Sequence, residues 1–193
     1  MLRPVVFALS AFCSAAFAVD YPENTLDAGK VSAQAKPVIL LGQGVSVGQQ
    51  APDFKVVDDS FTPVTLNDYK GQAVLISVVP SLDTGVCSIQ TKHFNEKVAA
   101  QFPNITMLTI SADLPFAQKR FCKAENIDKV VTLSDSVWHN FGENFGLMIK
   151  DMGLLTRAVF VLDAEHKIIY KQLVDNLSKE PDYAPVITKL KTL

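Results

Sequence analysis

Residues 73–87 form the segment Ala73-Val-Leu-Ile-Ser-Val-Val79, followed by Pro80-Ser-Leu-Asp-Thr84-Gly-Val-Cys87. The short, almost unbroken apolar run up to Val79 predicts a strand that is buried in a sheet. Pro80 ends this strand, and Thr84 is placed to begin a helix. Cys87 then lies in the first helical turn, where unpaired backbone N–H groups and the positive helix end favour a thiolate. The segment therefore predicts a reactive cysteine at a strand-to-helix junction.

Short apolar runs alternate with helical patterns along the rest of the chain, which predicts an α/β domain with helices on both faces of a central sheet. The predicted strands are 38–41, 54–57, 73–79, 105–110, 130–133, 157–162 and 167–174. The predicted helices are about 85–102, 115–125, 136–146 and 181–190, the last with Pro181 in its first turn. We expect an N-terminal hairpin from the first two strands, parallel pairing of the next two, and a hairpin from the last two.

Composition is that of one soluble domain, with 193 residues, 20% charged residues and a formal net charge of −2. There is no basic cluster, which argues against nucleic acid and anionic membranes as partners. The three histidines and three cysteines show no C-x-x-C or H-x-x-x-H spacing, so the sequence gives little support for a metal site.

The N-terminus has the pattern of a secretory signal peptide: a basic residue, a short apolar run and small residues ending at Ala18. We expect cleavage after Ala18 and an exported, periplasmic location; an uncleaved membrane anchor is the alternative. A lead-in of uncertain order follows at residues 19–35, and the folded domain covers residues 36–193.

Cleavage would leave two cysteines, Cys87 and Cys122, which lie 35 positions apart. An even number of cysteines in an oxidising compartment is typical of disulfide pairing. A permanent structural bridge is the simpler interpretation from cysteine count alone. The residues around Cys87 favour a reactive thiol instead, because a structural bridge needs no strand-to-helix junction.

Three further residues have both a structural and a functional interpretation. Pro80 can be a strand terminator or can shield a pocket from water. Thr84 can simply cap the helix or can also reach the Cys87 sulfur. Arg157 opens a buried-looking strand, and the residues alone favour an exposed strand end over a buried cation.

Four separated segments give the chain a family resemblance. They are Pro80-Ser-Leu-Asp-Thr-Gly-Val-Cys87, Ser111-Ala-Asp-Leu-Pro-Phe-Ala-Gln-Lys-Arg-Phe-Cys122, Arg157-Ala-Val-Phe-Val-Leu-Asp163 and Gln172-Leu-Val-Asp175. From about Lys36 onward the sequence resembles the thiol peroxidases, which are atypical two-cysteine peroxiredoxins. This resemblance implies a thioredoxin-like fold, a central mixed sheet flanked by helices with an N-terminal β-hairpin extension.

The resemblance also implies a mechanism and its residues. Cys87 would attack hydrogen peroxide or an organic hydroperoxide, supported by Thr84, Arg157 and Pro80. Cys122 would then form an intramolecular Cys87–Cys122 disulfide, which a thioredoxin-like protein would reduce. The resemblance further implies an antioxidant enzyme that needs no cofactor and forms a homodimer.

Export departs from the family pattern, because most such enzymes are expected in the cytosol with thioredoxin, and the reductant is therefore open. The first alternative function is a thiol-disulfide oxidoreductase, which shares the fold but normally carries C-x-x-C. The second is a non-catalytic domain stapled by Cys87 and Cys122.

Overall fold

The computed structural model of the protein describes residues 21–193. The predicted signal peptide, residues 1–18, lies outside the described residues. The strands in the described part are β1 (Ser32–Ala33), β2 (Lys36–Pro37), β3 (Leu40–Leu41), β4 (Lys55–Val57), β5 (Pro63–Thr65), β6 (Val74–Val78), β7 (Thr106–Ser111), β8 (Val131–Ser134), β9 (Met148–Ile149), β10 (Leu154–Leu155), β11 (Ala158–Leu162) and β12 (Ile168–Leu173). The helices are α1 (Gly85–His93), α2 (Pro115–Glu125), α3 (Asn140–Phe145) and α4 (Tyr183–Leu190), with a 3-10 turn at Leu66–Tyr69 and a π-helical turn at Phe94–Val98. Between residues 21 and 193, no helix has the length and apolar character needed to cross a membrane.

The central sheet has seven strands in the order β12-β11-β6-β7-β8-β4-β5. Strand β7 runs parallel to both β6 and β8, and the remaining pairs are antiparallel. The predicted mixed sheet, the parallel pair β6/β7 and the hairpin β11–β12 are therefore confirmed. All residues of β6 are buried, as its apolar sequence predicts.

Neighbouring side chains of β6 point to opposite faces of the sheet. Since apolar side chains lie on both faces, helices cover both faces. Ile76 enters a hydrophobic core that contains Phe141 and Phe145 of α3. Leu75 enters a second core, together with Phe94 and with Val186 of α4. The layered α/β architecture predicted from the sequence is thus confirmed.

The junction between β6 and α1 places the candidate nucleophile. Thr84 is the N-cap residue with an extended backbone (φ −105°, ψ 145°), and Cys87 lies in the first turn, as predicted. The predicted helix does not continue uniformly to residue 102: α1 ends at His93 and passes directly into the π-helical turn, where the amide of Ala99 donates to the carbonyl of Phe94.

The N-terminal region corrects one prediction. The expected hairpin between residues 38–41 and 54–57 is wrong, since β3 pairs with the distant β9, whereas β4 pairs with β5 and β8. The N-terminal hairpin is formed by β1 and β2 instead. Because this hairpin spans residues 32–37, the expected domain boundary at residue 36 falls inside it.

Two helices begin later than the sequence pattern suggested. Helix α3 starts only at Asn140, because His139 has a left-handed backbone (φ 53°). Helix α4 starts at Tyr183, where the carboxylate of Asp182 accepts a hydrogen bond from the Ala184 amide. Pro181 consequently precedes the cap of α4 and does not lie in its first turn.

Candidate active site

Cys87 is fully buried and lies between two polar side chains. The hydroxyl of Thr84 is 2.9 Å from its sulfur, and Nη2 of Arg157 is 3.2 Å from the same atom. Its apolar neighbours are Val79, Leu82 and the partly buried Phe121. One hydroxyl and one guanidinium therefore converge on a thiol from which water is excluded.

The Thr84 hydroxyl has two possible partners, because it also lies 3.0 Å from the carbonyl of Ser81. A hydroxyl has a single proton to donate. It can donate to the carbonyl and accept from a Cys87 thiol, or turn its proton towards a Cys87 thiolate. Its side chain makes no capping bond to α1, so the interpretation of Thr84 as a simple cap is not what the structure shows.

Arg157 is 1% exposed, which corrects the exposed strand end that the residues alone favoured. Its Nη1 donates to Oε1 of Gln90 (2.6 Å) and its Nη2 to the carbonyl of Leu177 (3.0 Å). Among residues 21–193, Arg157 forms no salt bridge with a carboxylate. A buried cation is costly without an anionic partner, and the nearest group that can become an anion is the Cys87 thiol.

Gln90 is a site residue that the sequence analysis missed. It is fully buried one turn after Cys87, and its Nε2 donates to the hydroxyl of Ser77 in β6 (2.8 Å). This bond fixes which way the amide points, so that its oxygen faces Arg157. A polar residue three positions after the cysteine, on the helix face turned to the sheet, was the available signal.

Asp113 was missed as well, although it lies only two residues after the end of β7. Its carboxylate accepts from the Ser81 hydroxyl and the Leu82 amide, both at 2.7 Å, and so holds the loop that leads to Thr84. The carboxyl ends of parallel strands meet at one edge of a sheet, which could have placed Asp113 beside this loop.

A cavity of about 330 Å³ lies against these residues. It is lined by Ala33, Gln34, Pro80, Thr84, Gly85, Val86, Met152, Arg157, Leu177 and Ser178. Buried Pro80 therefore lies in the cavity wall, so both of its predicted roles are compatible with its position. Of the apolar side chains in residues 141–156, Met152 reaches the cavity, whereas Phe141, Phe145 and Leu147 belong to the core.

Cys122 is not part of this cluster. It lies half-buried in the last turn of α2, with its sulfur 3.3 Å from the Thr132 hydroxyl. It borders a separate cavity of about 260 Å³ that includes Asp58 and Asp59. Burial raises the pKa of the Cys122 thiol, and the Thr132 hydrogen bond opposes this in part. Cys87 and Cys122 are both free thiols in the structure.

Between residues 21 and 193, no three His, Cys, Asp or Glu side chains are grouped closely enough to hold a metal ion.

Comparison with known proteins identifies the class. Residues 46–187 match the Redoxin family. The thiol peroxidase of Bacillus subtilis is 49% identical over 164 residues, which cover 85% of this chain and 98% of that protein. The thiol peroxidase of Oceanobacillus iheyensis is 50% identical over 154 residues, covering 80% and 93%.

Solved structures agree. A peroxiredoxin-like protein from Aquifex aeolicus aligns with a TM-score of 0.80 at 39% identity, covering 86% of this chain and 97% of that one. A thiol peroxidase from Chromobacterium violaceum aligns with a TM-score of 0.77 at 19% identity, covering 84% and 95%, which supports the fold alone. The chain belongs to the Redoxin family. Within that family it is an enzyme, a thiol-dependent peroxidase of the peroxiredoxin type with an antioxidant role.

Proposed function

We propose that this peroxidase reduces hydrogen peroxide and organic hydroperoxides through Cys87, with Cys122 as the resolving cysteine of an atypical two-cysteine cycle. The observation that carries the proposal is the guanidinium of Arg157, which is buried without a carboxylate partner in the described chain and lies 3.2 Å from the Cys87 sulfur. This cation stabilises a thiolate and remains in place to stabilise the charge that develops on a peroxide oxygen.

In the first step the Cys87 thiolate attacks the terminal oxygen of the peroxide. The S–O bond forms as the O–O bond breaks, the leaving alkoxide or hydroxide takes a proton from solvent, and Cys87 becomes a sulfenic acid. The Thr84 hydroxyl and Arg157 Nη2 both lie within hydrogen-bond distance of the sulfur, so either can donate to an oxygen bound there.

In the second step the Cys122 sulfur attacks the sulfenic sulfur. The S–S bond forms, the hydroxyl of the sulfenic acid leaves, and the Cys122 proton completes a water molecule. A disulfide requires Cα atoms within about 7 Å. Phe121, the residue before Cys122, contacts the Cys87 cluster, whereas the Cys122 sulfur faces Thr132. Local unwinding of α1 or α2 therefore accompanies this step.

The third step needs an external dithiol, because two electrons must return both sulfurs to thiols. We assign this role to a thioredoxin-like protein. Since residues 1–18 have the pattern of a signal peptide, we propose a periplasmic enzyme and a periplasmic donor. N-terminal sequencing of the protein recovered from a periplasmic extract tests this location: a chain beginning at Val19 supports it, and an intact Met1 in the cytosolic fraction contradicts it.

The cavity supports organic hydroperoxides as substrates. Its wall includes the apolar side chains of Ala33, Met152 and Leu177 in addition to Thr84 and Arg157, which contact the sulfur. An alkyl or aryl group can therefore lie against this wall while the peroxide group points towards Thr84 and Arg157.

A homodimer is the proposed assembly. Three aromatic or aliphatic side chains at the start of α2 and the neighbouring β4–β5 connection are exposed: Phe61 (43%), Leu114 (58%) and Phe116 (59%). Phe61 and Phe116 contact each other with ring centroids 5.2 Å apart, so the apolar surface is continuous there. Sedimentation of the purified protein, compared with a Leu114→Lys, Phe116→Lys variant, tests whether this surface joins two copies.

The function is tested by peroxide consumption of the protein reduced with dithiothreitol, with a thiol count after one equivalent of cumene hydroperoxide. We expect rapid loss of both thiols in the wild type, no reaction at the site in Cys87→Ser, and arrest at sulfenic acid in Cys122→Ser. Consumption that is slow and unaffected by Cys87→Ser would exclude the proposed mechanism and favour a disulfide carrier or a stapled domain.

A further inference from the structure

Asn95, in the π-helical turn that follows α1, is buried (3% exposed) and bonds a distant part of the chain. Its Oδ1 accepts from the backbone amides of Asp128, Lys129 and Val130 at 3.1, 2.8 and 3.3 Å. Its Nδ2 donates to the carbonyl of Asn126 at 3.3 Å. One side chain therefore attaches the helix of Cys87 to the segment that directly follows the helix of Cys122.

A second contact joins the same two helices at the surface. Nζ of Lys92, in α1, lies 2.8 Å from Oε2 of Glu125, the last residue of α2. We refer to the bonds of Asn95 and the Lys92–Glu125 pair together as the clamp. The side chains of Asn95 and Lys92 contact the end of α2 and the loop after it, rather than Thr84 or Arg157.

Of the two helices that local unwinding can involve, α2 holds Cys122 in its last turn, so opening of this turn releases Cys122 to move towards Cys87. The carbonyl of Cys122 accepts from the amides of Asn126 and Ile127, so both bonds belong to the turn that holds its sulfur towards Thr132. Phe121 occupies the position beside Cys87. If Cys122 moves into the position that Phe121 occupies, this turn breaks. The clamp fixes the segment immediately after the turn.

We propose that Asn95, assisted by Lys92, is a positioning residue that holds the last turn of α2 in the reduced enzyme and thereby sets the rate at which Cys122 resolves the Cys87 sulfenic acid. This inference rests on the proposed Cys87–Cys122 disulfide. The clamp contacts stabilise the state in which the turn is intact, so their loss lowers the cost of opening it.

The consequence is a partition of the sulfenic acid between two reactions. Resolution by Cys122 releases water and does not depend on peroxide concentration. A second peroxide molecule competes by transferring an oxygen to the sulfenic sulfur, which gives a sulfinic acid and an alcohol or water. A tighter clamp gives more sulfinic acid at a given peroxide concentration, and a looser clamp gives more disulfide.

The test is rapid mixing of reduced protein with increasing hydrogen peroxide, acid quenching, and mass spectrometry of the Cys87 and Cys122 peptides. The variants are Asn95→Ser, which removes the acceptor for three amides, and Lys92→Met, which removes only the surface pair. Lys97→Met, an exposed lysine of the same π-helical turn, is the matched control.

We expect the rate of disulfide formation to rise about tenfold in Asn95→Ser, and by a smaller factor in Lys92→Met, with a matching fall in the sulfinic fraction. The second-order rate of Cys87 oxidation stays at the wild-type value in all variants, which a general loss of structure would not allow. Lys97→Met behaves as wild type.

An unchanged or slower disulfide step in both clamp variants overturns the inference. If Asn95→Ser does not fold, Lys92→Met decides alone, because its side chain lies at the surface. Failure of the proposed function is a different result: the wild type itself would then form no Cys87–Cys122 disulfide.

Discussion

The two cysteines that the structure describes lie at the ends of neighbouring helices, yet their surroundings differ in charge. Cys87 is fully buried between a hydroxyl and the guanidinium of Arg157. Cys122 is half-buried and borders a cavity lined by Asp58, Asp59 and Lys119, in which Lys119 pairs with Asp59 at 3.1 Å. The two thiols therefore differ in the charged group nearest to them, since only the Cys87 sulfur has a guanidinium within hydrogen-bond distance, at 3.2 Å.

This difference suits the order of the proposed steps. The thiol that meets peroxide needs a cation to support its negative charge and that of the leaving oxygen. The thiol that waits for a sulfenic acid is better kept protonated, because an early thiolate at Cys122 would itself be a target for peroxide. Removing the guanidinium of Arg157 tests the role of charge at Cys87, and titrating Cys122 tests the effect of burial at the second thiol.

Arg157→Met should have the largest effect. It replaces the cation by an apolar side chain of similar length, and we expect the rate of Cys87 oxidation by hydrogen peroxide to fall about 10³-fold, because a buried electrostatic contact to the reacting atoms is lost. Single-turnover measurement at limiting and at saturating peroxide gives this rate.

Arg120→Met is the control for that experiment, since Arg120 is an exposed arginine on α2. It should leave the rate at the wild-type value. A rate for Arg157→Met within a few-fold of wild type would remove Arg157 from the site and leave the contrast between the two thiols unexplained.

Thr84→Val tests the second group that touches the Cys87 sulfur. The change keeps the shape of the side chain and deletes the hydroxyl, so we expect the Cys87 oxidation rate to fall about 10- to 100-fold, the value of a hydrogen bond to a charged group. Thr84→Ser keeps the hydroxyl and should stay close to wild type. Equal rates for the valine and serine variants would show that the hydroxyl does not act on the sulfur.

Cys122 can be titrated directly in a Cys87→Ser background. Burial raises the pKa of its thiol, so less thiolate is present at any given pH. The pH midpoint of alkylation by iodoacetamide should therefore lie higher in the folded protein than in the same protein in urea. Thr132→Val should move the midpoint further up, because the hydrogen bond that lowers this pKa is removed. If the pH midpoint in the folded protein lay at or below the midpoint in urea, burial would not raise the pKa of Cys122 as expected.

Much of this fold could be predicted because its central strands have one strong local signal. The almost unbroken apolar run of β6 identifies a strand buried on both faces, and Thr84 with the following glycine marks the start of α1. The short strand β3 gives no such signal, since its partner β9 lies about a hundred residues away and only the folded chain brings them together.

The site residues divide in the same way, into those that local sequence predicts and those that depend on distant parts of the chain. Cys87 and Thr84 lie three residues apart, so helix geometry alone places them together. Arg157 could not be placed by any local rule, because its burial depends on Gln90 from α1 and on the carbonyl of Leu177. The family resemblance placed Arg157 beside Cys87. The structure shows that its side chain is buried and hydrogen-bonded to Gln90 and to the carbonyl of Leu177.

Substitution of Met152 should have the smallest effect, because this residue lines the cavity beside Cys87 and acts on the bound substrate rather than on the sulfur. Its side chain is 47% exposed at the tip of the β9–β10 connection and lies in the apolar part of the cavity wall. Met152→Gln keeps the length of the side chain but makes it polar. We expect kcat/KM for cumene hydroperoxide to fall about fivefold, since part of the contact with the aryl group is lost, whereas kcat/KM for hydrogen peroxide stays unchanged because that substrate has no group to place there.

Ser178→Ala, a polar position of the same wall, is the matched control and should change neither value. An equal loss for both peroxides would mean that Met152 acts on the site as a whole, and the apolar wall would then not select among hydroperoxides.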